Sequence, residues 1–205
     1  MTKRDILVLL FHPRFEESRA QKALVRALRE VENVTFRDMY ELYPNFAIGV
    51  AEEQELLLRH DLVVWQPIYW YNCPPLMKQW IDVVLEYGWA YGKNGDKLRG
   101  KWIINAASSG GTFEAYRRGG RNRFTYREFL SSFDQTAHLC QMRYLPPFIV
   151  PGANAQTLEE LAEYGARYAQ LARFLQYASE EQLEQALQSD YFNDFPFDQL
   201  QIPSF

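Results

Sequence analysis

Three short segments of this 205-residue chain carry side chains suited to holding an anionic or a flat ligand, and each follows an apolar run. The first is His12-Pro13-Arg14-Phe15-Glu16-Glu17-Ser18-Arg19-Ala20-Gln21. Ser18 with Gln21 three residues on is a capping-box pattern, so a helix begins here. The free N–H groups of that first turn, the helix dipole and the Ser18 hydroxyl suit a phosphate, with His12 and Arg19 as further donors. An ordinary helix start would look the same, and the glycine-rich dinucleotide fingerprint is absent. The second segment, Pro67-Ile68-Tyr69-Trp70-Tyr71-Asn72, sets three consecutive aromatic residues before a Pro-Pro helix start. Ile68 to Tyr71 could line the edge and face of a planar ring system; alternatively two of the rings pack beneath the next helix. The third, Ser108-Ser109-Gly110-Gly111-Thr112-Phe113-Glu114-Ala115-Tyr116, has paired glycines that let backbone N–H groups come close to a ligand. Two such groups can stabilise negative charge on a ligand oxygen, although a plain tight turn has the same composition.

Other signals point nowhere. Gly95-x4-Gly100-Lys101 nearly spells a P-loop, but Trp102 stands where Ser or Thr is required, and a strand follows instead of preceding it. No Gly-x-Ser-x-Gly elbow accompanies Ser108 and Ser109. His12, His60 and His138 have no metal spacing; His60 reads as a solvated helix end and His138 as a satisfied helix histidine. Arg117, Arg118, Arg121 and Arg123 around Gly119-Gly120 form a basic loop, either a solvated surface or a hold for the phosphate of a second nucleotide.

The elements that must position these segments alternate. Ile6–Phe11 is a continuous apolar run, as expected of a strand buried on both faces. Ala20, Leu24, Ala27, Leu28 and Val31 recur at helical spacing. Further strands are expected at 34–39, 61–66, 102–106 and 144–150, the last interrupted by Pro146-Pro147. Helices are expected at 52–59, from Pro74-Pro75 onward, at 126–139 and at 157–177. This alternation means an α/β domain with a largely parallel sheet, in which ligands bind beyond the carboxyl ends of the strands. Residues 1–178 read as one domain. Residues 179–205 form an aromatic-rich extension, with a short charged helix at 180–188 and then Tyr191, Phe192, Phe195, Phe197 and Phe205, either packed on its own domain or reaching a partner.

The chain is 47% hydrophobic, enough for a filled core, and carries 22 basic against 26 acidic side chains, a net charge of −4. An acidic chain is a poor candidate for neutralising nucleic-acid phosphates. Two cysteines, Cys73 and Cys140, make no disulfide framework and fit a reduced, cytoplasmic setting. The longest purely apolar run is far shorter than the roughly 20 residues that span a bilayer, so no direct membrane insertion is expected.

In combination the motifs resemble the flavodoxin-like NAD(P)H:quinone oxidoreductases over residues 4–177. The resemblance rests on His12-Pro13 with Ser18, Trp65-Gln66-Pro67-Ile68-Tyr69-Trp70-Tyr71, Pro74-Pro75-Leu76-Met77-Lys78-Gln79-Trp80-Ile81-Asp82 and Ser108-Ser109-Gly110-Gly111. Leu42-Tyr43-Pro44-Asn45-Phe46, Gly88-Trp89-Ala90-Tyr91-Gly92 and Tyr144-Leu145-Pro146-Pro147-Phe148 are similar to one subset, the ancillary proteins of glutathione-gated potassium-efflux systems. The resemblance implies a three-layer α/β/α sandwich with a five-stranded parallel sheet in the order 2-1-3-4-5. It implies FMN, with FAD as the alternative, its phosphate at His12, Ser18, Arg19, Ala20 and Gln21. The ring would meet Pro67, Ile68, Tyr69, Trp70 and Tyr71, and its pyrimidine edge Ser108, Ser109, Gly110 and Gly111. Tyr116 would stand near ring and substrate, forming the catalytic set with Gly110 and Gly111. NAD(P)H would reduce a quinone by two electrons in a ping-pong reaction, in a homodimer whose second subunit completes the pocket. Two other roles stay open. One is a regulatory subunit on a membrane potassium-efflux transporter, held at the inner face of the membrane through that protein, with secondary oxidoreductase activity. The other is a simple electron carrier.

Overall fold

The computed structural model describes residues 3–199. The chain runs β1 (Ile6–Leu10), α1 (Arg19–Leu28), β2 (Val34–Asp38), α2 (Met39–Leu42), α3 (Val50–Arg59), β3 (Leu62–Gln66), α4 (Pro75–Val84) and β4 (Trp102–Ser108). It continues through α5 (Tyr126–Phe129), α6 (Ser131–Leu139), β5 (Arg143–Tyr144), β6 (Phe148–Val150), α7 (Leu158–Tyr177) and α8 (Glu180–Ala186). All strand pairs are parallel, in the order β2-β1-β3-β4-β5, with β6 also pairing β4. The expected order is therefore present, but the fifth strand is two strands. Both lie along β4, at Trp102–Ile103 and at Ala106–Ser108. Pro146 and Pro147 between them have no N–H to donate to the ladder, which is the physical reason for the break. The helix expected over 126–139 is likewise divided at Leu130, and the four-residue α2 was not legible at all.

Side-chain alternation divides the core in two. Ile6, Val8, Leu62, Val64, Trp102 and Ile104 pack against α1 and α7, while Leu7, Leu9, Val63, Trp65 and Ile103 pack against α3, α4 and α6. Gly165 of α7 lets the helix sit on α1, because a Cβ there would lie 2.7 Å from the Ala23 carbonyl oxygen. The extension after α8 packs on its own domain: Phe192, Phe195 and Phe197 surround Phe174 of α7. Asn193 brackets Ile149, accepting from its N–H at 2.9 Å and donating to its carbonyl at 2.8 Å, so the tail runs beside β6. Phe205 lies outside the described residues.

One charged group is wholly inside. Glu53 of α3 has no exposed surface and accepts from the Tyr43 hydroxyl (2.8 Å), the Trp80 indole N–H (2.9 Å) and Arg37 (2.6 Å). Burial, then the hydrogen bond to Glu53, pushes the Tyr43 hydroxyl up to about 12, so it stays a donor. His60 corrects the expectation of a solvated residue: it is buried at the end of α3, donating from Nδ1 to the Leu56 carbonyl and facing the Thr35 hydroxyl with Nε2, both at 2.7 Å. His138 is exposed on α6. Glu53→Ala leaves Arg37 with Glu52 as its remaining carboxylate and strands the Tyr43 and Trp80 donors, and is expected to destabilise the fold by about 3–5 kcal/mol. Glu53→Gln, which still accepts from Tyr43 or Trp80, should cost less. Urea midpoints of the two variants check this, and equal small losses would contradict it.

Candidate active site

β1 and β3 end at one level, since Leu10 pairs with Gln66, and β4, whose Asn105 pairs with Trp65, runs on in the same direction to Ser108. The loops that leave them enclose a cleft of about 720 Å3, a size suited to a cofactor-sized ligand. From the first loop, His12, Ser18, Arg19 and Ala20 line it; from the second, Pro67 through Tyr71; from the third, Ser108, Ser109, Gly110 and Tyr116. Gln21 and Gly111 do not line it. Gln21 is fully buried behind the wall, donating to the Ser108 hydroxyl at 3.0 Å. Gly111 turns its carbonyl to a closed triangle with Ser109 Oγ and the Tyr126 hydroxyl, at 2.8, 2.9 and 2.6 Å.

At the first loop, Ser18 caps α1, its hydroxyl accepting from the Gln21 N–H at 3.2 Å. The N–H groups of Arg19 and Ala20 have no carbonyl within the helix to reach and face the anion-attracting end of its dipole. The Arg19 guanidinium donates to the Gln156 carbonyl at 2.8 Å, while Arg14 pairs with Glu17 at 3.1 Å. His12 Nδ1 accepts from the Arg14 N–H at 3.2 Å, which leaves the proton of the neutral ring on Nε2. Burial lowers the His12 pKa and outweighs the opposing pull of Glu16 and Glu17.

The second loop is a two-residue hairpin. Tyr69 and Asn72 exchange both backbone hydrogen bonds at 3.0 Å, with Trp70 at φ 47° and Tyr71 at φ 62° between them. Turns of this hand favour Asn and Gly, and a bulky residue in the left-handed region costs roughly 1–3 kcal/mol. Two adjacent aromatic residues held there, with Trp70 84% exposed, are strain stored at the mouth of the cleft. In the third loop a Cβ on Gly110 would meet Asn154 Nδ2 at 2.8 Å, and one on Gly111 would meet the Tyr116 ring at 2.8 Å. The Gly111 position is thus crowded by the packed Tyr116 ring, whereas at Gly110 only the end of the exposed Asn154 side chain would have to move. Tyr116 stacks on Tyr126 with ring centroids 3.9 Å apart, and burial raises the pKa of both hydroxyls. Beneath lies a small cluster of Ile68, Ala107, Tyr116, Tyr126 and Ile149, against which Tyr191 of the tail also packs.

Arg14, Glu17, Ala153 and Asn154 line the cleft and were missed in the sequence. The last two belong to the loop after β6, which is zipped to the third loop by Gly152 N–H to Gly111 O and Ala153 N–H to Ser109 O, each 2.8 Å. The signal was present: Pro151-Gly152 follows the last strand at the same sheet edge.

The arrangement fits an anion joined to a flat ring: helix N–H groups at one end, exposed aromatics and backbone in the middle, hydroxyls and glycine N–H groups at the other. The buried Gln21 Oε1, without a partner among the described residues, leaves an acceptor beside Ser108. Similarity to known proteins agrees. The family described as flavodoxin-like fold matches residues 4–172.

The chain belongs to this family.

An uncharacterised NAD(P)H oxidoreductase, YdeQ of Bacillus subtilis (strain 168), is 43% identical over 82% of the chain and 86% of its own length. The glutathione-regulated potassium-efflux system ancillary protein KefG of Cronobacter sakazakii is 40% identical over 80% of the chain and 89% of its own. Among solved structures, general stress protein 14 of Treponema denticola in complex with FMN is 40% identical with TM-score 0.80, covering 84% of this chain and 99% of that one. An NADPH-quinone reductase from P. pentosaceus is 29% identical with TM-score 0.74, covering 82% and 97%. The flavodoxin-like fold and the kinship with NAD(P)H oxidoreductases and KefG proteins are thus established, and no helix among the described residues is long and apolar enough to cross a membrane.

Because burial favours the neutral imidazole, His12 is expected to titrate below its ordinary value of 6.5 and to be uncharged at neutral pH. An NMR pH titration reads this directly, and a midpoint above 6.5 would contradict the geometry.

Proposed function

We propose that this chain is an FMN-dependent NAD(P)H oxidoreductase that reduces quinone-type acceptors by two electrons. The observation that carries the reading is the convergence of the anion-ready start of α1, the strained Trp70-Tyr71 turn and the Ser108–Gly110 strand end on one cleft. The FMN in the Treponema structure and the oxidoreductase names of relatives support it. Bound there, the flavin would take a hydride from NAD(P)H and pass both electrons to the acceptor, each occupying the same face in turn.

The chain's residues bind and orient. The N–H groups of Arg19 and Ala20, the Ser18 hydroxyl and the neutral His12 Nε2–H hold the phosphate, with Gln21 fixing Ser108 behind it. Pro67 and Ile68 to Tyr71 form the wall for the ring. Ser108, Ser109 and the N–H of Gly110 would meet the pyrimidine edge and stabilise negative charge there, with the Gly111 carbonyl fixing the Ser109 hydroxyl behind them. Tyr116, its hydroxyl kept protonated by burial and its ring fixed on Tyr126, stands as a donor toward an acceptor oxygen. A second subunit would cover the exposed Trp70. Residues 1–178 would be the flavin domain and 179–205 its extension, of which the described part, to residue 199, would buttress α7.

A regulatory role is the second reading, favoured by 40% identity across nearly the whole of a KefG protein. The chain would then sit on a potassium-efflux transporter at the cytoplasmic face, through protein contacts, and the oxidoreductase activity would be secondary.

Steady-state oxidation of NADH and NADPH by the purified, FMN-supplemented protein with a benzoquinone acceptor tests the enzyme. Acceptor-dependent turnover with parallel double-reciprocal lines is expected. Absence of turnover with flavin bound would leave a carrier or regulator, and uptake of FAD in preference to FMN would overturn the cofactor assignment. Gly111→Val, which drives the Tyr116 ring off Tyr126, is expected to give folded but colourless protein. A fully yellow variant would remove the third loop from the site.

A further inference from the structure

We infer that Arg121 and Arg123 form a recognition site for the 2′-phosphate of NADPH, making this chain selective for NADPH over NADH. The inference rests on the oxidoreductase reading above and adds the identity of the electron donor.

The loop between Tyr116 and Thr125 is closed on itself. Gly120 N–H donates to the Arg117 carbonyl at 2.9 Å, Arg123 N–H to the Gly120 carbonyl at 3.0 Å and Asn122 N–H to the Ala115 carbonyl at 2.9 Å. It is also closely packed, since a Cβ on Gly120 would lie 2.4 Å from the Glu114 carbonyl oxygen. Asn122 ties it to the cleft mouth by accepting from the Tyr71 hydroxyl at 3.3 Å. The backbone that carries Arg121 and Arg123 is therefore tethered to Tyr71, a residue that lines the cleft, without either arginine lining the cleft itself.

The four arginines of the loop are all exposed but differ in what neutralises them. Arg118 is engaged twice by the Glu128 carboxylate, at 3.1 and 2.9 Å. The Glu114 carboxyl is held below its usual range, first by the Thr112 hydroxyl and further by the charge of Arg117. No carboxylate pairs with Arg121 or Arg123 among the described residues. Arg123 lies 5.9 Å from the Phe124 ring and is itself held at φ 68°, a left-handed conformation costly for arginine. Two exposed guanidinium groups two residues apart, neither paired with a carboxylate among the described residues, leave local positive charge for a dianion in a chain of net charge −4. Guanidinium forks suit phosphate, and arginine is the residue by which nucleotide sites accommodate the extra phosphate of the phosphorylated dinucleotide. NADH offers no charge at that position.

The test compares FMN-loaded wild type with Arg121→Ala/Arg123→Ala. Wild type is expected to prefer NADPH, and the ratio of kcat/KM for NADPH over NADH should fall at least about tenfold in the variant. Calorimetry on the same proteins should show NADP+ binding weakened and NAD+ binding changed far less, a readout independent of turnover. Wild type that binds flavin and oxidises both donors equally would overturn this inference and leave the oxidoreductase reading standing. So would an unchanged ratio, or equal losses for both dinucleotides, which would mark the shared pyrophosphate as the contact. Failure to bind flavin or to oxidise either donor would instead overturn the oxidoreductase reading, and this inference with it.

Discussion

The site depends on parallel strands kept in step. Ile6, Leu62 and Trp102 begin three neighbouring strands at one level, and each strand is buried on both faces. A slip of one residue would turn Trp65 from the α4 side toward α7 and lift one loop from the common edge. The two cores forbid this, because Leu7, Trp65 and Ile103 fill one side while Val8, Val64 and Ile104 fill the other. The register of the core is thereby the register of the cleft.

What was legible in the sequence follows from that constraint. Continuous apolar runs such as Ile6–Phe11 fit a strand buried on both faces, so the parallel sheet and its ligand-binding edge follow from the apolar pattern, and the strand order from the family resemblance. Side-chain direction could not be read in the same way. Gln21, a cofactor contact by motif, stands behind Ser108; Gly111, expected to clear a ligand's path, clears Tyr116. Tyr43 sits in a motif similar to the potassium-efflux ancillary proteins and Trp80 in one similar to the wider family, yet both satisfy the buried Glu53, so those motifs record packing as well as function. Asn154 and the loop after β6 were lost because the two prolines divide the last strand and blur where it ends.

Beyond the Phe11, Trp65, Trp80 and Phe133 cluster on the α4 side of the sheet, two further aromatic groups stand out. Phe192, Phe195 and Phe197 extend the core over α7, where burial alone explains them. Tyr116, Tyr126, Phe113 and Tyr191 instead stack beneath the cleft, so the tail braces the platform on which the third loop rests. Trp70 belongs to neither group. It remains in solvent on a strained turn, a state that folding does not favour by itself and that a ring-shaped ligand or a covering subunit would relieve.

Titrating FMN into the flavin-free chain while following backbone amide resonances by NMR tests the central claim most directly. Convergence of three loops on one flavin predicts simultaneous, saturable shifts at Arg19 and Ala20, at Tyr69 and Trp70, and at Ser109 and Gly110, with one affinity for all. Shifts confined to a single loop, or larger ones in the groove between α1 and α7, would contradict it.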